Sequence, residues 1–262
     1  MSARVSRFAV TMSLIVSSVY LFLYLPIMVL VAFSFNSNPL GYQWHGFTTH
    51  WYAELFASSE IWDALKNSLI IAGSAATITI TMATSLVLAM KSRVLERVIP
   101  LFYANLAVPE IVLAIALLGL FFFFSISLGV TTLIAVHTLL GLGYAVPLIY
   151  TRFESIDRRF VEASLDLGAT RMQTVRYVVL PLLMPAILAS ALLVFIVSFD
   201  DFILSFFCAG GATETLPMYI FSMLRADIAP IISALSVVLL LSSSAIVLLF
   251  SLLQMRRMGM MQ

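Results

Sequence analysis

Three carboxylates sit where the chain is otherwise too apolar to solvate them: Glu110, directly after Pro109, and the adjacent Asp200 and Asp201 within SFDDFILSFF at 198–207. An ionised side chain at the bilayer centre costs roughly 2.5–3.5 kcal/mol on insertion scales, so such acids face a polar cavity or a partner rather than lipid. Acids at more than one depth, with almost no intramembrane cation beside them, suit a passenger carrying several positive charges. A linear polycation, ammonium groups joined by methylenes, needs spaced carboxylates for its charges and apolar or aromatic walls for its links. Each aromatic face adds about 0.5–2 kcal/mol by cation–π attraction. Ser198 can share the lining through its hydroxyl, and Trp51 and Tyr219 are the candidate aromatic faces. Alternatively, Asp200 and Asp201 pair with Lys66, Arg225 or a basic residue of a neighbouring chain. Successive helix positions point about 100° apart, so one aspartate can line a path while the other is structural.

Other chemistries find less support. His137 reads as hydrogen-bonded packing within an apolar run rather than a proton relay, and His45 and His50 lack a third ligand at metal-site spacing. Cys208 is the single cysteine, a packing residue that permits neither an intrachain disulfide nor a cysteine metal cluster. An intramembrane acid–base enzyme built on Asp200 and Asp201 is disfavoured, because a two-carboxylate centre draws more naturally on two different spans. No G-x-x-x-x-G-K-[ST] phosphate loop occurs, and the only lysines are Lys66 and Lys91. The net charge of +1 argues against nucleic acid as a partner.

The elements that hold these residues must be membrane helices. The chain is 62% apolar and 10% charged with a mean hydropathy of +1.08, against roughly 45–50% and about 25% for a soluble domain. An all-α polytopic fold with lipid as its solvent is expected. Six stretches reach the roughly 20 residues a crossing needs: 8–33, 67–90, 99–124, 130–150, 182–206 and 231–253. The first, although preceded by Arg4 and Arg7, is too long for a secretory signal and is read as an uncleaved span. Lys and Arg concentrate before span one, between spans two and three (Lys91, Arg93, Arg97), between four and five, and after span six (Arg256, Arg257). Only Lys66 and Arg225 fall elsewhere, so both termini are expected in the cytoplasm. Counted along a straight third span, Glu110 lies about 15 Å from its cytoplasmic end, and Asp200 and Asp201 lie nearer the outer end of theirs. The small-residue runs GSAAT (73–77) and SSSA (242–245) are expected to allow close helix packing.

Two loops carry further information. The outer loop from Ser34 to Lys66 holds Trp44, Trp51 and Trp62 with Glu54, Glu60 and Asp63. Either its tryptophans are interfacial anchors, or WYAELF (51–56) forms a short surface helix where a delivered substrate or its carrier docks. The inner loop from Thr151 to Leu180 reads as two short helices. The first spans about 157–167 and is closed by Gly168; the second is opened by Thr170, with Gln173 at capping-box spacing, and is stopped by Pro181. Ala163, Ser164, Gly168 and Ala169 give this hairpin a small-residue surface that another protein can approach closely.

EASLDLG at 162–168, nine further residues, and VVLP at 178–181 resemble the EAA loop of ABC-importer permeases, in which EAA, three residues and Gly precede I-x-L-P after nine residues. Glu162, Ala163, Gly168, Leu180 and Pro181 match in place; Ser164 stands for the second Ala and Val178 for Ile. Further segments, SFNSNPLGYQWHGFTTHWYAELF (34–56), NSL (67–69), Pro109–Glu110, SFDDFILSFF and TLPMYIFSMLR (215–225), are similar to the permeases of spermidine/putrescine importers, which more often carry Asp at the position of Glu110. This resemblance implies a type-1 (MetI-like) importer transmembrane domain in the bacterial inner membrane. Residues 1–66 would form the first span and periplasmic loop, 67–253 the permease core with the coupling loop 151–181, and 254–262 a cytoplasmic tail. It implies a homologous second permease, two cytoplasmic ATPase subunits that carry ATP and magnesium, a periplasmic polyamine-binding protein, surrounding lipid, and no cofactor or catalysis on this chain. Rival readings are a permease for another cationic or amino-acid-derived solute and a passive cation channel.

Overall fold

The computed structural model describes residues 2–39, 43–89, 92–211, 213–225 and 229–259. Lys91 lies outside these, as do residues 40–42 of the outer loop. The described residues form twelve α-helices and one π-helical turn, and the only strand-like pairing among them is an isolated bridge between Asn36 and Phe47. The all-α expectation holds. The chain divides into two compact units, Met1–Ser59 with Ile220–Gln262, and Glu60–Tyr219.

In the first unit, α12 (Ala229–Gly259) packs on α1 (Ser2–Phe33) and α2 (His50–Ala57). The stretch Met12–Phe33 is long enough to cross a membrane and exposes apolar side chains on all sides, as a helix solvated by lipid does. The chain after it is tied around Asn36, which is fully buried. The Asn36 amide donates to the Gln43 carbonyl (2.8 Å) and its Oδ1 accepts from His45 N (3.1 Å); its carbonyl takes the Trp51 indole N–H (2.7 Å). Phe35 stacks on Phe47, with ring centroids 5.2 Å apart. WYAELF falls within α2, as the second reading of that loop expects.

The second unit holds α3 (Ser59–Ala89), α4 (Ser92–Ala107), α5 (Glu110–Phe123), α6 (Val130–Glu154), α7 (Arg158–Asp166), α8 (Arg171–Thr174), a π turn (Val175–Val179), α9 (Leu180–Asp200) and α10 (Ile203–Cys208); α11 (Leu216–Arg225) begins in it. At its centre α6 packs against α4, α9 and α10. Glycines let the neighbours close in. A Cβ on Gly141 would stand 2.7 Å from Val194 Cγ1 and 2.8 Å from Thr79 Oγ1; one on Gly143 would stand 2.8 Å from Asn105 Nδ2. Polar side chains then bond the exposed carbonyls of α6, Asn105 Nδ2 to Leu139 O (3.0 Å) and Thr79 Oγ1 to Thr138 O (3.3 Å).

Three expectations need correction. First, the span at 99–124 is not one helix: α4 and α5 meet at 103°. Pro109 (φ −55°, ψ 133°) has no N–H to donate and its ring drives the preceding residue out of helical geometry. The 15 Å depth counted for Glu110 along a straight helix falls with it. Secondly, Pro181 does not stop the second inner-loop helix. Residues Arg171–Asp200 run on as one 30-residue apolar span, because the wider π turn precedes the proline and Pro181 sits in the first turn of α9, where a missing N–H is tolerated. Thirdly, the span expected at 182–206 ends at Asp200, where Asp201 turns to extended backbone. Among the described residues four helices are therefore long and apolar enough to cross, the bent pair makes a fifth, and α12 supplies a shorter apolar stretch, Pro230–Ala245.

The packing of α6 is testable. Gly141→Leu forces a side chain into Val194 and Thr79 and lowers the stability of the detergent-solubilised protein by about 1–3 kcal/mol, read as a fall in its thermal midpoint. Gly73→Ala, whose added Cβ meets nothing within 4 Å, leaves the midpoint unchanged or raises it.

Candidate functional site

Both acidic positions lie at helix breaks. Glu110 opens α5 immediately after Pro109, where the partial positive charge of a helix N-terminus favours a carboxylate. Asp200 closes α9, and Asp201 occupies the two-residue break before α10. Packing of α10 on α5 brings the two breaks to one place. A cavity of about 430 Å³ opens there, lined by Glu110, Tyr144, Ile196, Val197, Asp200, Asp201, Phe202 and Ile203.

The three carboxylates differ in what they do. Asp201 is buried (8% exposed) and saturated with donors. Its Oδ2 accepts from Ser205 N (3.0 Å) and lies 3.3 Å from His137 Nε2, while Leu204 N approaches Oδ1 at 3.4 Å. These amides belong to the first turn of α10, which Asp201 caps. Among the described residues the basic side chain beside it is His137. Asp200, one position earlier, is exposed on the cavity wall, and Glu110 is half-buried there. Neither makes a hydrogen bond or ion pair with the described residues. Of the two adjacent aspartates, Asp201 is thus built into the helix break, while Asp200 faces the cavity.

His137 was legible only as a packed histidine. It is 1% exposed, and its Nδ1 lies 2.6 Å from Ser198 Oγ. A ring protonated at Nε2 accepts from Ser198 and donates to Asp201. The order Ser198, His137, Asp201 is that of an acyl-transfer triad, but all three are buried and Ser198 is not on the cavity wall, so the serine faces the histidine rather than a substrate. Tyr219, half-buried on α11, is not on that wall either. Trp51 belongs to the other unit, its indole bonded to the Asn36 carbonyl. Tyr144, absent from the sequence-derived candidates, supplies the aromatic wall. It lies two turns after His137 on α6, and that seven-residue spacing was the available signal. Cys208 is fully buried, its Sγ 4.0 Å from Ala114 O, a packing contact between α10 and α5.

The inner loop forms a second site. Asp157 caps α7 by accepting from Arg159 N (2.9 Å). Gly168 (φ +85°) ends it in the left-handed conformation, where Ala169 N reaches Ser164 O (3.1 Å). Thr170 and Gln173 form the reciprocal capping box, at 2.8 and 3.3 Å. Ser164 Oγ meets Thr174 Oγ1 at 3.0 Å and ties the two helices together. Ala163, Ser164 and Ala169 line a hollow of about 360 Å³ with Phe160, Leu167 and Val178, while Glu162 lines another with Glu154, Arg158 and Val161. Leu167 is 89% exposed at the hairpin tip. The exposed leucine thus stands beside the small-residue hollow.

The chain is similar to known proteins along most of its length. Residues 75–258 match the family model described as binding-protein-dependent transport system inner membrane component. The chain is 35% identical over 238 residues to the spermidine/putrescine transport system permease protein PotC of Haemophilus influenzae, covering 90% of this chain and 93% of that one. It is also 35% identical over 235 residues to PotC of Escherichia coli K12 (88% and 89% covered), and 33% identical over 231 residues to the putrescine transport system permease protein PotI of the same strain (84% and 82%). Among solved structures, a bacterial ABC transporter involved in the import of the acidic polysaccharide alginate superposes with a TM-score of 0.60 over 95% of this chain and 96% of that one, at 15% identity, a likeness of fold. With the model covering most of the chain and relatives matched along nearly their whole length, this protein belongs to the family of binding-protein-dependent transport system inner membrane components.

Proposed function

We propose that this chain is the permease subunit of an ATP-binding-cassette importer that carries polyamines, spermidine and putrescine, across the bacterial inner membrane. The observation that carries the reading is the pair of unpartnered carboxylates, Glu110 and Asp200, on one cavity wall with Tyr144, Ile196, Val197 and Phe202. An acid without a partner in a lipid-solvated domain is stable only beside water or a cation. Alternating ammonium and methylene groups meet their complement in carboxylates set among apolar and aromatic side chains.

Six crossings with both termini cytoplasmic complete the arrangement, the bent α4–α5 pair and α12 each counting as one. A homologous second permease closes the path opposite this cavity. Two cytoplasmic ATPases, bearing ATP and magnesium, grip the hairpin of α7 and α8 through Glu162, Ala163, Ser164 and the Gly168 turn; a periplasmic polyamine-binding protein delivers the cargo. This chain takes no catalytic part. The span Arg171–Asp200 is continuous from that hairpin to the acid cavity, so a displacement of the loop reaches Asp200 along one helix, about 45 Å at 1.5 Å per residue. Pro181 lies on this lever just above the π turn.

Two outcomes are expected. Glu110→Gln and Asp200→Asn each remove one charge-assisted contact of about 1.5–3 kcal/mol and raise the half-saturating spermidine concentration roughly ten- to a hundredfold, with membrane levels unchanged. Uptake of labelled spermidine that is unaffected in both variants rejects the polyamine assignment and leaves another solute as cargo. Glu162→Arg protein inserts normally but fails to copurify with its ATPase, or copurifies without ATP-driven uptake; normal coupling contradicts the role given to the hairpin.

A further inference from the structure

The buried cluster of Ser198, His137, Asp201 and Ser205 is not used by the transport scheme above, yet through Asp201 it reaches the cavity wall. His137 comes from the middle of α6, Ser198 from α9, Asp201 from the α9–α10 break and Ser205 from α10. His137 touches all three, Ser198 Oγ at 2.6 Å, Asp201 Oδ2 at 3.3 Å and Ser205 Oγ at 3.4 Å. It does not itself line the cavity. A buried carboxylate held by an imidazole N–H and backbone amides already has its hydrogen-bond donors where it stands. The cavity therefore presents its contents with two carboxylates free of partners, although three line it.

We propose that His137 is the positioning residue that sets how much negative charge the path offers its cargo: it holds Asp201 back and leaves Glu110 and Asp200 as the two carboxylates that meet ammonium groups. The inference rests on the reading of the cavity as a polyamine path and refines it to a division of labour among the three acids. Removing the imidazole withdraws a donor from Asp201 and leaves its negative charge more available to the contents of the cavity. A trication gains more from that charge than a dication does, so the variant discriminates between polyamines of different charge. A role in packing alone has no such consequence, since a loosened helix break slows both substrates alike.

The assembled complex in proteoliposomes, supplied with its binding protein and ATP, is assayed for uptake of labelled putrescine and labelled spermidine. His137→Ala is expected to shift the ratio of their half-saturating concentrations toward spermidine by about tenfold, His137→Gln, which keeps a donor, to shift it little, and Asp201→Asn added to His137→Ala to return it to the original value. Should His137→Ala fail to assemble, Asp201→Asn alone decides: the ratio and the spermidine half-saturation stay near those of the unaltered protein, in contrast to Asp200→Asn. Equal slowing of both substrates in His137→Ala, or an Asp201→Asn effect as large as that of Asp200→Asn, overturns the assignment. Uptake of neither polyamine by the unaltered complex overturns the transport reading together with it.

Discussion

An ionised carboxylate in a lipid-solvated domain must find a partner, and everything distinctive about this chain follows from how its three central acids meet that requirement. Asp201 finds an imidazole and the amides of α10. Glu110 and Asp200 find none among the described residues and face a cavity instead. A partnered acid is architecture, whereas an unpartnered one is a vacancy for positive charge.

The fold is arranged to deliver these groups. Straight helices would spread Glu110, Asp200 and Asp201 along their lengths; breaks gather them. Pro109 bends one span by 103° and puts Glu110 at a fresh helix N-terminus, while Asp201 interrupts the other by capping the short α10. The most buried span, α6, carries His137 and Tyr144 to the meeting point, and the glycines at 141 and 143 let its neighbours approach. On the other side of the same unit, caps at Asp157 and Thr170 and the left-handed Gly168 shape the hairpin from which the continuous Arg171–Asp200 run begins.

Local chemistry was readable from the residues in order, and non-local chemistry was not. The hairpin's caps and its glycine turn follow from residues three or four apart and appear as expected, while the helix at α2 was one of two readings of its loop. The single-cysteine packing role of Cys208 and the helical class follow from composition. What escaped depends on partners distant in sequence or on competition between backbone signals. Pro109 breaks its span, whereas Pro181 follows a π turn and passes unbroken, as Pro26, Pro100, Pro147 and Pro185 do within their helices; residue type alone does not distinguish them. His137 and Asp201 are 64 positions apart, so their pairing emerges only when α6 packs against α9 and α10. The divergence of the adjacent aspartates was expected from helix geometry, but it arises at a helix end, where Asp201 turns to extended backbone.

Chemical labelling of the carboxylates tests the central distinction most directly. The assembled complex in membranes is treated with a hydrophobic carbodiimide, and modification of each acid is quantified by mass spectrometry with and without spermidine. The account predicts that Glu110 and Asp200 are modified, that spermidine protects both, and that Asp201 stays largely unreacted in either condition. Modification of Glu110 and Asp200 that spermidine leaves unchanged, or of Asp201 to the same extent as its neighbour, contradicts it.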